Sequence, residues 1–237
     1  MHYKKQFVHF LLESGALTFG DFTLKSGRKS PYMINTGKFN SGVSLSRLGC
    51  FYARAIYEKM ELGIIPWEMT MLFGSAYKGI PLAAATAIAL GASFDLDFGW
   101  AFNRKETKDH GEGGVFVGRK PGAGDLVLVV DDVMTAGTAL RDTFDLFGEH
   151  APEAKIIGSV IAVNRKERGR DTRLTAIAEA QYELGIPIFS IIDIDEILSV
   201  LKDGDFEREY FKREKAALPT VEQITAIEDY LTEYRAD

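Results

Sequence analysis

An apolar run that ends in two adjacent acidic residues constrains the fold of this chain more than any other feature. Leu126 to Val130 is short and rich in β-branched side chains, which predicts a strand buried on both faces of a parallel sheet. Asp131 and Asp132 follow directly, at the position where open α/β sheets bind ligands. Thr135 to Ala139 then supply hydroxyl groups and a glycine at the start of a predicted helix, whose unpaired N–H groups suit a phosphate. A sugar phosphate that carries Mg2+ would meet all of these demands.

Length and composition limit the class of protein. With 237 residues, of which 46% are hydrophobic and 26% charged, the chain is expected to form one globular α/β domain. Its net charge of −6 argues against nucleic-acid binding, which usually needs a basic face. No apolar run reaches the roughly 18 residues of a membrane span, and no signal peptide is visible. The single cysteine, Cys50, fits a reducing cytoplasm, and its place in a helical apolar pattern predicts a buried thiol.

Strand and helix patterns alternate along the chain. This alternation predicts an α/β fold with a doubly wound, mostly parallel sheet that helices cover on both sides. An N-terminal helix is expected to end near Ser14, and further helical segments are expected towards the C-terminus. Strands are predicted at 22–26, 70–73, 94–100, 115–117, 126–130, 156–163 and 188–192, and helices at 45–60, 80–90, 139–147 and 172–184.

A glycine-flanked turn, Gly74 to Gly79, follows the predicted strand at 70–73. Its Lys78 directly precedes a predicted helix, so the turn would present backbone N–H groups and a cation to an anion. Taken alone this signal is weak, because glycine-rich turns between strands and helices are common.

The run from Arg104 to Gly114 contains glycines and charged side chains but no apolar residue. Most runs of this kind are solvated hairpin tips. The alternative is a mobile lid, because no apolar side chain would hold the run shut and the glycines give it hinge freedom. In that interpretation Arg104, Lys105, Lys108 and His110 close on a diphosphate.

Two further segments have both a structural and a functional interpretation. By composition, Lys25 to Asn35 is a surface loop, and Lys166 to Arg168 is an exposed, salt-bridged turn. Arg165, however, directly follows a predicted strand at the ligand end of the sheet. Its planar guanidinium would present paired donors to ring carbonyl or carboxylate oxygens.

Four of these segments resemble type I phosphoribosyltransferases. Val129 to Ala139 resembles their 5-phosphoribosyl-1-pyrophosphate (PRPP) signature, and Tyr77 to Pro81 is similar to the pyrophosphate loop of the orotate branch. Asn103 to Gly114 is similar, almost residue for residue, to the catalytic loop of orotate phosphoribosyltransferases. Lys25 to Asn35 resembles their orotate-binding element, and Arg165 aligns with the arginine that binds orotate in the family, so the motifs extend from Lys25 to Arg165.

The resemblance implies transfer of a phosphoribosyl group from PRPP to N1 of orotate, giving orotidine 5'-monophosphate and diphosphate in pyrimidine synthesis. It implies Mg2+, held mainly by substrate oxygens and water, and a homodimer in which each catalytic loop reaches the neighbouring active site. No nucleic-acid or membrane partner is expected. One phosphoribosyltransferase domain would span 1–237, with 1–40 contributing to a base-binding hood and 103–114 forming the mobile catalytic loop.

The resemblance also assigns roles to single residues, with the acids on the ribose and Asp109 as the candidate proton acceptor. The residues expected to be catalytic are Arg104, Lys105, Lys108, Asp109 and His110. Contacts to PRPP are expected from Tyr77, Lys78, Arg104, Lys105, Lys108, His110, Asp131, Asp132, Val133, Met134, Thr135, Ala136, Gly137, Thr138 and Ala139. Contacts to orotate are expected from Lys25, Met33, Ile34, Thr135 and Arg165.

The chain departs from the family pattern at three positions, and two rival functions stay open. Many members carry two phenylalanines where this chain has Met33 and Ile34, and often an aspartate where it has Asn164. Met33 and Ile34 have no aromatic ring to stack on the base, whereas their main-chain contacts remain. A purine phosphoribosyltransferase would share residues 131–139 but should lack the Lys25 element and the 104–114 run. A non-catalytic PRPP-sensing regulator usually adds a nucleic-acid-binding surface, which the net charge of −6 does not favour.

Overall fold

The computed structural model describes residues 2–24, 27–108, 114–134, 137–168, 173–203 and 218–236. Helices α1 to α7 in these ranges are His2–Glu13, Gly42–Glu61, Gly79–Phe94, Thr138–His150, Ala176–Leu184, Ile194–Lys202 and Val221–Tyr234. Strands β1 to β8 are Leu17–Thr23, Lys29–Ile34, Met71–Gly74, Gly99–Lys108, Gly114–Gly118, Leu126–Val130, Lys155–Asn164 and Ile188–Asp193. The chain divides into a sheet unit, residues 45–164 and 176–191, and a terminal unit, residues 1–44, 165–175 and 192–237.

The sheet unit is organised around six strands in the order β5–β4–β3–β6–β7–β8. Strand β3 is parallel to both β4 and β6, β6 is parallel to β7, and β5 is antiparallel to β4. In this register Gly74 pairs with Val130, which pairs with Val160. The carboxyl ends of β3 and β6 therefore lie side by side, and β7 continues past them.

Helices cover both faces of the sheet. Successive side chains of a strand point to opposite faces. One face carries a cluster from β3 and β6 packed on α4 and α5, which includes Met71, Phe73, Val127, Val129, Leu140, Phe147, Ile177 and Ala180. Leu72 and Leu128, with the opposite parity, are also fully buried. The predicted mostly parallel sheet with apolar contacts on both faces is confirmed.

The terminal unit contains a two-stranded sheet and a helical core. Strands β1 and β2 are antiparallel, with Leu17 opposite Ile34. Helix α1 packs against β1 and α6, and α7 packs against β2. The ring of Phe10 stacks on that of Phe39 with centroids 4.7 Å apart.

Side-chain caps define where the last two helices begin. Asp193 and Glu196 form a capping box at the start of α6, and Thr220 and Gln223 form another at the start of α7. Each box satisfies backbone N–H groups that the first helical turn leaves without intrahelical partners.

Several predicted elements agree closely with the structure. The strand predicted at 126–130 coincides with β6, and the segments predicted at 45–60, 80–90 and 139–147 fall within α2, α3 and α4. These segments carry long apolar patterns and lie between glycines or polar turns, which makes their type easy to recognise.

Other predicted boundaries were wrong. The strand at 94–100 begins only at Gly99, because α3 continues to Phe94 and ends on Asp95 with φ 56°, the left-handed conformation of a helix cap. The expected loop at 25–35 contains strand β2, where Pro31 sits in a two-stranded sheet that leaves edges open to it. Strand β1 is Leu17–Thr23 rather than 22–26, and α5 begins at Ala176 rather than at 172.

Two further expectations need correction. Cys50 is exposed rather than buried, because the buried face of α2 is formed by neighbours such as Leu48, Gly49 and Tyr52. The run that starts at Arg104 is not loop from its first residue, since the backbone of β4 continues to Lys108.

Candidate active site

Two carboxylates follow the central strand β6 and are fixed by the backbone around them. The N–H of Asp131 donates to the carbonyl of Val160 at 3.0 Å, and the N–H of Ala162 donates to the carbonyl of Asp132 at 2.7 Å. The Asp131 Oδ1 accepts from the N–H of Asp132 at 2.8 Å, and the Asp132 Oδ1 accepts from the N–H of Val133 at 2.7 Å. Strand β7 thus holds the chain in place beyond the end of β6, and both carboxyl groups are oriented.

A lysine and a tyrosine complete a group that we call the strand-end cluster: Tyr52, Lys78, Asp131 and Asp132. Lys78 Nζ donates to Asp132 Oδ2 at 2.5 Å, and the lysine side chain is 65% exposed whereas that of Asp132 is 9% exposed. The buried Tyr52 hydroxyl donates to the carbonyl of Asp131 at 2.6 Å. Burial raises the pKa of Asp131 to about 6, against the lowering effects of the Asp132 N–H and of Lys78. One acid is therefore paired with an accessible cation, and its neighbour is poised to take up a proton.

The turn between β3 and α3 is closed so tightly that it requires glycine at both ends. A Cβ atom on Gly74 would lie 2.0 Å from the carbonyl oxygen of Gly79, and one on Gly79 would lie 2.7 Å from the carbonyl carbon of Gly74 and 3.1 Å from the carbonyl oxygen of Val130. Real Cβ atoms essentially never come within 3.0 Å of such an atom. The close approach brings this turn against the carboxyl end of β6.

Strand β4 contributes polar groups to the same turn. Asn103 Oδ1 accepts from the N–H of Ala76 at 2.9 Å, and the peptide bond between Ala76 and Tyr77 is cis. Lys105 Nζ lies 5.7 Å from the centroid of the exposed Tyr77 ring. Tyr77 of the turn and Lys105 of the charged run, which are both expected to meet a diphosphate, are therefore neighbours in this structure.

Helix α4 begins at the same edge of the sheet. Gly137 has φ 70°, a left-handed conformation that favours glycine, and Thr138 opens the helix. The hydroxyl oxygens of Ser75 and Thr143 lie 2.8 Å apart and link the turn to α4. The first N–H groups of a helix have no intrahelical acceptor, so they suit a phosphate.

A second group of polar side chains, the Arg165 cluster, lies in the terminal unit: Ser30, Tyr32, Arg165 and Glu167. Arg165 Nε donates to Glu167 Oε1 at 2.7 Å, and Arg165 Nη2 lies 2.6 Å from the same oxygen. Arg165 Nη2 also donates to Ser30 Oγ at 3.1 Å. The guanidinium lies over the Tyr32 ring at 4.3 Å from its centroid, so the arginine is held at its edge and at its face.

The tyrosines of this region remain neutral. The Tyr32 hydroxyl donates to Glu167 Oε1 at 3.2 Å, and the ring of Tyr230 from α7 meets that of Tyr32 edge-on, with centroids 6.1 Å apart. Burial raises the pKa of Tyr32 well above its usual value and that of Tyr230 to about 12. Negative charge near Arg165 therefore comes from Glu167, and the Tyr32 hydroxyl acts as a donor to it.

Comparison with known proteins places this geometry in one family. A family model described as a phosphoribosyl transferase domain matches residues 51–178. The orotate phosphoribosyltransferase of Bifidobacterium adolescentis is 50% identical over 192 residues, which cover 81% of this chain and 83% of that protein. That of Pseudomonas putida is 48% identical over 224 residues, which cover 94% and 97%. The chain belongs to the orotate phosphoribosyltransferase family.

A solved structure supports the same placement. The crystal structure of orotate phosphoribosyltransferase from Francisella tularensis matches with a TM-score of 0.77 and 35% identity, and the match covers 97% of this chain and 99% of that one. The mixed α/β architecture with a central, mostly parallel sheet is that of type I phosphoribosyltransferases, as the resemblance of the sequence predicted.

The predicted site residues of this family member fall into three groups. The sheet unit carries Tyr77, Lys78, Arg104, Lys105, Asp131, Asp132, Val133, Met134, Gly137, Thr138 and Ala139. The terminal unit carries Arg165, and half-buried Met33 and Ile34 at the end of β2. Lys25, Asp109, His110, Thr135 and Ala136 lie outside the described residues, as does the side chain of Lys108. Their roles stay predictions.

The sequence analysis missed four contributors to these groups: Ser30, Tyr32, Tyr52 and Glu167. Glu167 was expected in an exposed turn, yet its side chain is only 13% exposed because Arg165 and Arg28 lie against it. An acid two residues after an arginine at a strand end was an available signal. Tyr52 gave none, because a tyrosine on an apolar helix face also fits an ordinary core position.

None of the helices in the described ranges combines the length and apolar character that a membrane span requires.

Proposed function

We propose that this protein transfers the 5-phosphoribosyl group of PRPP to N1 of orotate. The bond between ribose C1 and the diphosphate oxygen breaks, a bond between C1 and N1 forms, and orotidine 5'-monophosphate and diphosphate leave. The observation that carries the proposal is the pair Asp131 and Asp132 between a central parallel strand and the start of α4, in a chain with relatives named orotate phosphoribosyltransferase.

The donor is held by the carboxyl edge of the sheet unit. Carboxylates accept hydrogen bonds, so Asp131 and Asp132 take the ribose hydroxyl groups as donors. The segment from Thr135 to Ala139 takes the 5-phosphate, with N–H groups at the start of α4 directed to its oxygens, and Val133 and Met134 add contacts to PRPP. The tight hydrogen bonds that orient both carboxyl groups support this role, because they position the acceptors before the sugar arrives.

Positively charged side chains stabilise the diphosphate as it leaves. An anomeric displacement passes through an oxocarbenium-like transition state, in which negative charge builds on the leaving group. Lys78 and Tyr77 contact the diphosphate from the β3–α3 turn, and Arg104, Lys105, Lys108 and His110 from the charged run. Lys78 is suited to this task, because its exposed ammonium needs only to exchange the Asp132 carboxylate for a phosphate oxygen. These cations stabilise charge that is larger in the transition state than in the substrate.

The 103–114 loop closes over the reacting groups and excludes water that would otherwise hydrolyse PRPP. Asp109 is its candidate proton acceptor.

Contacts to orotate are proposed for Lys25, Met33, Ile34, Thr135 and Arg165. Arg165 donates to oxygens of the planar, anionic base, as guanidinium groups do for carboxylates. Lys25 adds a second cation, and Met33 and Ile34 contribute main-chain contacts at the end of β2. The Arg165 cluster supports this role, because the guanidinium is already held by Ser30, Tyr32 and Glu167.

Mg2+ accompanies the diphosphate. Magnesium prefers oxygen ligands and keeps several waters, so its ligands should be mainly substrate oxygens and water. The oxygens of Asp131 and Asp132 at the strand end are compatible with such an ion beside the ribose. When bound, the ion neutralises charge on the diphosphate. Asp131 and Asp132 keep the ribose hydroxyls oriented.

The assembly proposed is a homodimer with shared active sites, built from one domain per chain in which residues 1–40 contribute to a hood over the base. A cytoplasmic location is part of the proposal, because a single cysteine fits a reducing compartment.

A spectrophotometric assay of orotate consumption tests the proposal. With PRPP and Mg2+ present, orotate absorbance is expected to fall, and omission of either PRPP or Mg2+ is expected to stop the change. Turnover of hypoxanthine or adenine in place of orotate would indicate a purine enzyme. Uptake of PRPP in calorimetry without turnover of any base would indicate a non-catalytic sensor, and no uptake would overturn the proposed donor site.

A further inference from the structure

Glu167 is the charged centre of the Arg165 cluster. Its Oε1 atom receives Arg165 Nε at 2.7 Å, Arg165 Nη2 at 2.6 Å and the Tyr32 hydroxyl at 3.2 Å. Its Oε2 atom lies 4.0 Å from Arg28 Nη1. The side chain is only 13% exposed, so these charge-assisted contacts are partly shielded from water and stronger than at an open surface.

Among the described residues, Nε and Nη2 make the hydrogen bonds of the arginine and Nη1 makes none, which leaves the Nη1 amino group for a ligand. Nε and Nη2 are directed to Glu167 and to Ser30, and the Tyr32 ring lies against the guanidinium face. Ser30 Oγ is itself held, since it donates to the carbonyl of Tyr32 at 2.7 Å. A guanidinium is rigid and planar, so fixing the edge and the face also fixes the direction in which the Nη1 amino group points.

The backbone on both sides of Glu167 is fixed by a distant part of the chain. The N–H of Arg168 donates to the carbonyl of Tyr234 at 2.9 Å, and the N–H of Ala236 donates to the carbonyl of Lys166 at 3.1 Å. The pairing forms an antiparallel bridge between Glu167 and Arg235. The position of the carboxylate is therefore set by main-chain contacts as well as by its own ion pair.

From this arrangement we infer that Glu167 is a positioning residue for the base: it orients Arg165 so that Nη1 meets an oxygen of the planar orotate anion. The inference rests on the proposed function, in which Arg165 binds orotate. Glu167 itself does not touch the base, and it acts through the direction of one guanidinium. If Glu167 acted only through its negative charge, it would repel the anionic base, and its removal would lower the KM of orotate. If it positions Arg165, its removal raises that KM, so the experiment can tell the two roles apart.

The experiment is a steady-state double-mutant cycle on Arg165 and Glu167. The variants Glu167→Gln, Arg165→Ala and the double variant are compared for the KM of orotate, the KM of PRPP, kcat and Tm. Glu228→Gln is the matched control, because it removes an acid from another ion pair of the terminal unit, that with Lys202.

We expect Glu167→Gln to raise the KM of orotate about tenfold or more, the range associated with hydrogen bonds to charged groups. The KM of PRPP should change less than twofold. In the Arg165→Ala background the same substitution should have little further effect, because there is no guanidinium left to orient. Glu228→Gln should leave both KM values at the wild-type level.

Three results would overturn the inference. An unchanged or lower KM of orotate in Glu167→Gln, with only a lower Tm, would make Glu167 a purely structural ion-pair partner. Equal effects of Glu167→Gln with and without Arg165 would show that it does not act through the arginine. If Arg165→Ala itself leaves the KM of orotate unchanged, the proposed base site fails together with the inference, whereas an effect of Arg165→Ala alone removes only the positioning role.

Discussion

Replacement of Asp131 by asparagine should make the protein more stable and less active. Asparagine keeps the Oδ1 atom that accepts from the N–H of Asp132, so the local hydrogen bond can persist. What the substitution removes is a partly buried negative charge, which burial disfavours.

The size of the effect follows from the pKa of Asp131, which is raised from 3.8 to about 6. A rise of about 2 pKa units corresponds to about 3 kcal/mol. Because the folded state binds this proton more tightly than the unfolded state, ionisation above pH 6 lowers the free energy of unfolding by up to about that amount. The penalty decreases as the pH falls through the folded pKa and disappears below the unfolded pKa, where both states are protonated.

Thermal and urea unfolding at pH 8 and near pH 4 measure this effect. At pH 8 we expect Asp131→Asn to raise the Tm by about 5 °C or more, and near pH 4 the difference from wild type should shrink towards zero. The variant should also lose most of the Tm increase that PRPP gives the wild-type protein, since it lacks one of the proposed ribose acceptors.

Asp132→Asn is the matched control, because its ion pair with the exposed Lys78 contributes less than about 1 kcal/mol. It should not raise the Tm. An Asp131→Asn variant that is no more stable than wild type at pH 8, or equally stabilised at both pH values, would refute the reasoning.

Three other substitutions test separate contacts. Tyr52→Phe should lower the free energy of unfolding by about 1–3 kcal/mol in urea unfolding, because the buried carbonyl of Asp131 loses its donor. Gly74→Ala should lower it by about 3 kcal/mol or more and abolish turnover, because the added Cβ would meet a backbone carbonyl oxygen at 2.0 Å. Lys108→Ala should lower kcat by about two orders of magnitude in the orotate assay, the usual effect of losing one donor that stabilises transition-state charge.

The first two of these substitutions have matched controls. Tyr182→Phe removes a hydroxyl from a side chain that is 91% exposed, so equal losses in it and in Tyr52→Phe would contradict the role of the buried bond. Gly148→Ala adds a Cβ with no atom within 4 Å, and it should be tolerated where Gly74→Ala is not. Unchanged turnover in Lys108→Ala would remove the charged run from the mechanism.

The elements with strong local patterns were predictable, and those that depend on tertiary partners were not. Residues 126–130 form a buried run bounded by polar residues, and β6 coincides with them. Strand β2 was missed because Pro31 and neighbouring charges hide its alternation, and its pairing with β1 supplies what local propensity lacks. The end of α3 was misplaced because Asp95 caps it in a left-handed conformation more typical of glycine or asparagine.

The candidate site shows the same division. The acids after β6 and the turn at Gly74 to Gly79 were recognisable, because each lies directly after a strand in a recurring motif. Tyr52 was not, because it acts on a residue that the sequence does not identify as its neighbour, and for Glu167 the sequence shows only its spacing from Arg165. Tyr52 reaches Asp131 from another element, and Glu167 depends on Tyr32 from a distant strand.

The bridge between residues 166–168 and 234–236 has a consequence for the order in which the molecule gains its abilities. A chain growing from its N-terminus completes the acidic strand tip and its glycine turn long before Tyr234 has been made. The segment around Arg165, which we propose binds the base, is completed only when that late segment has been made. We therefore expect the growing chain to bind PRPP before it can bind orotate. Fragments that stop before Tyr234 should bind PRPP but not orotate.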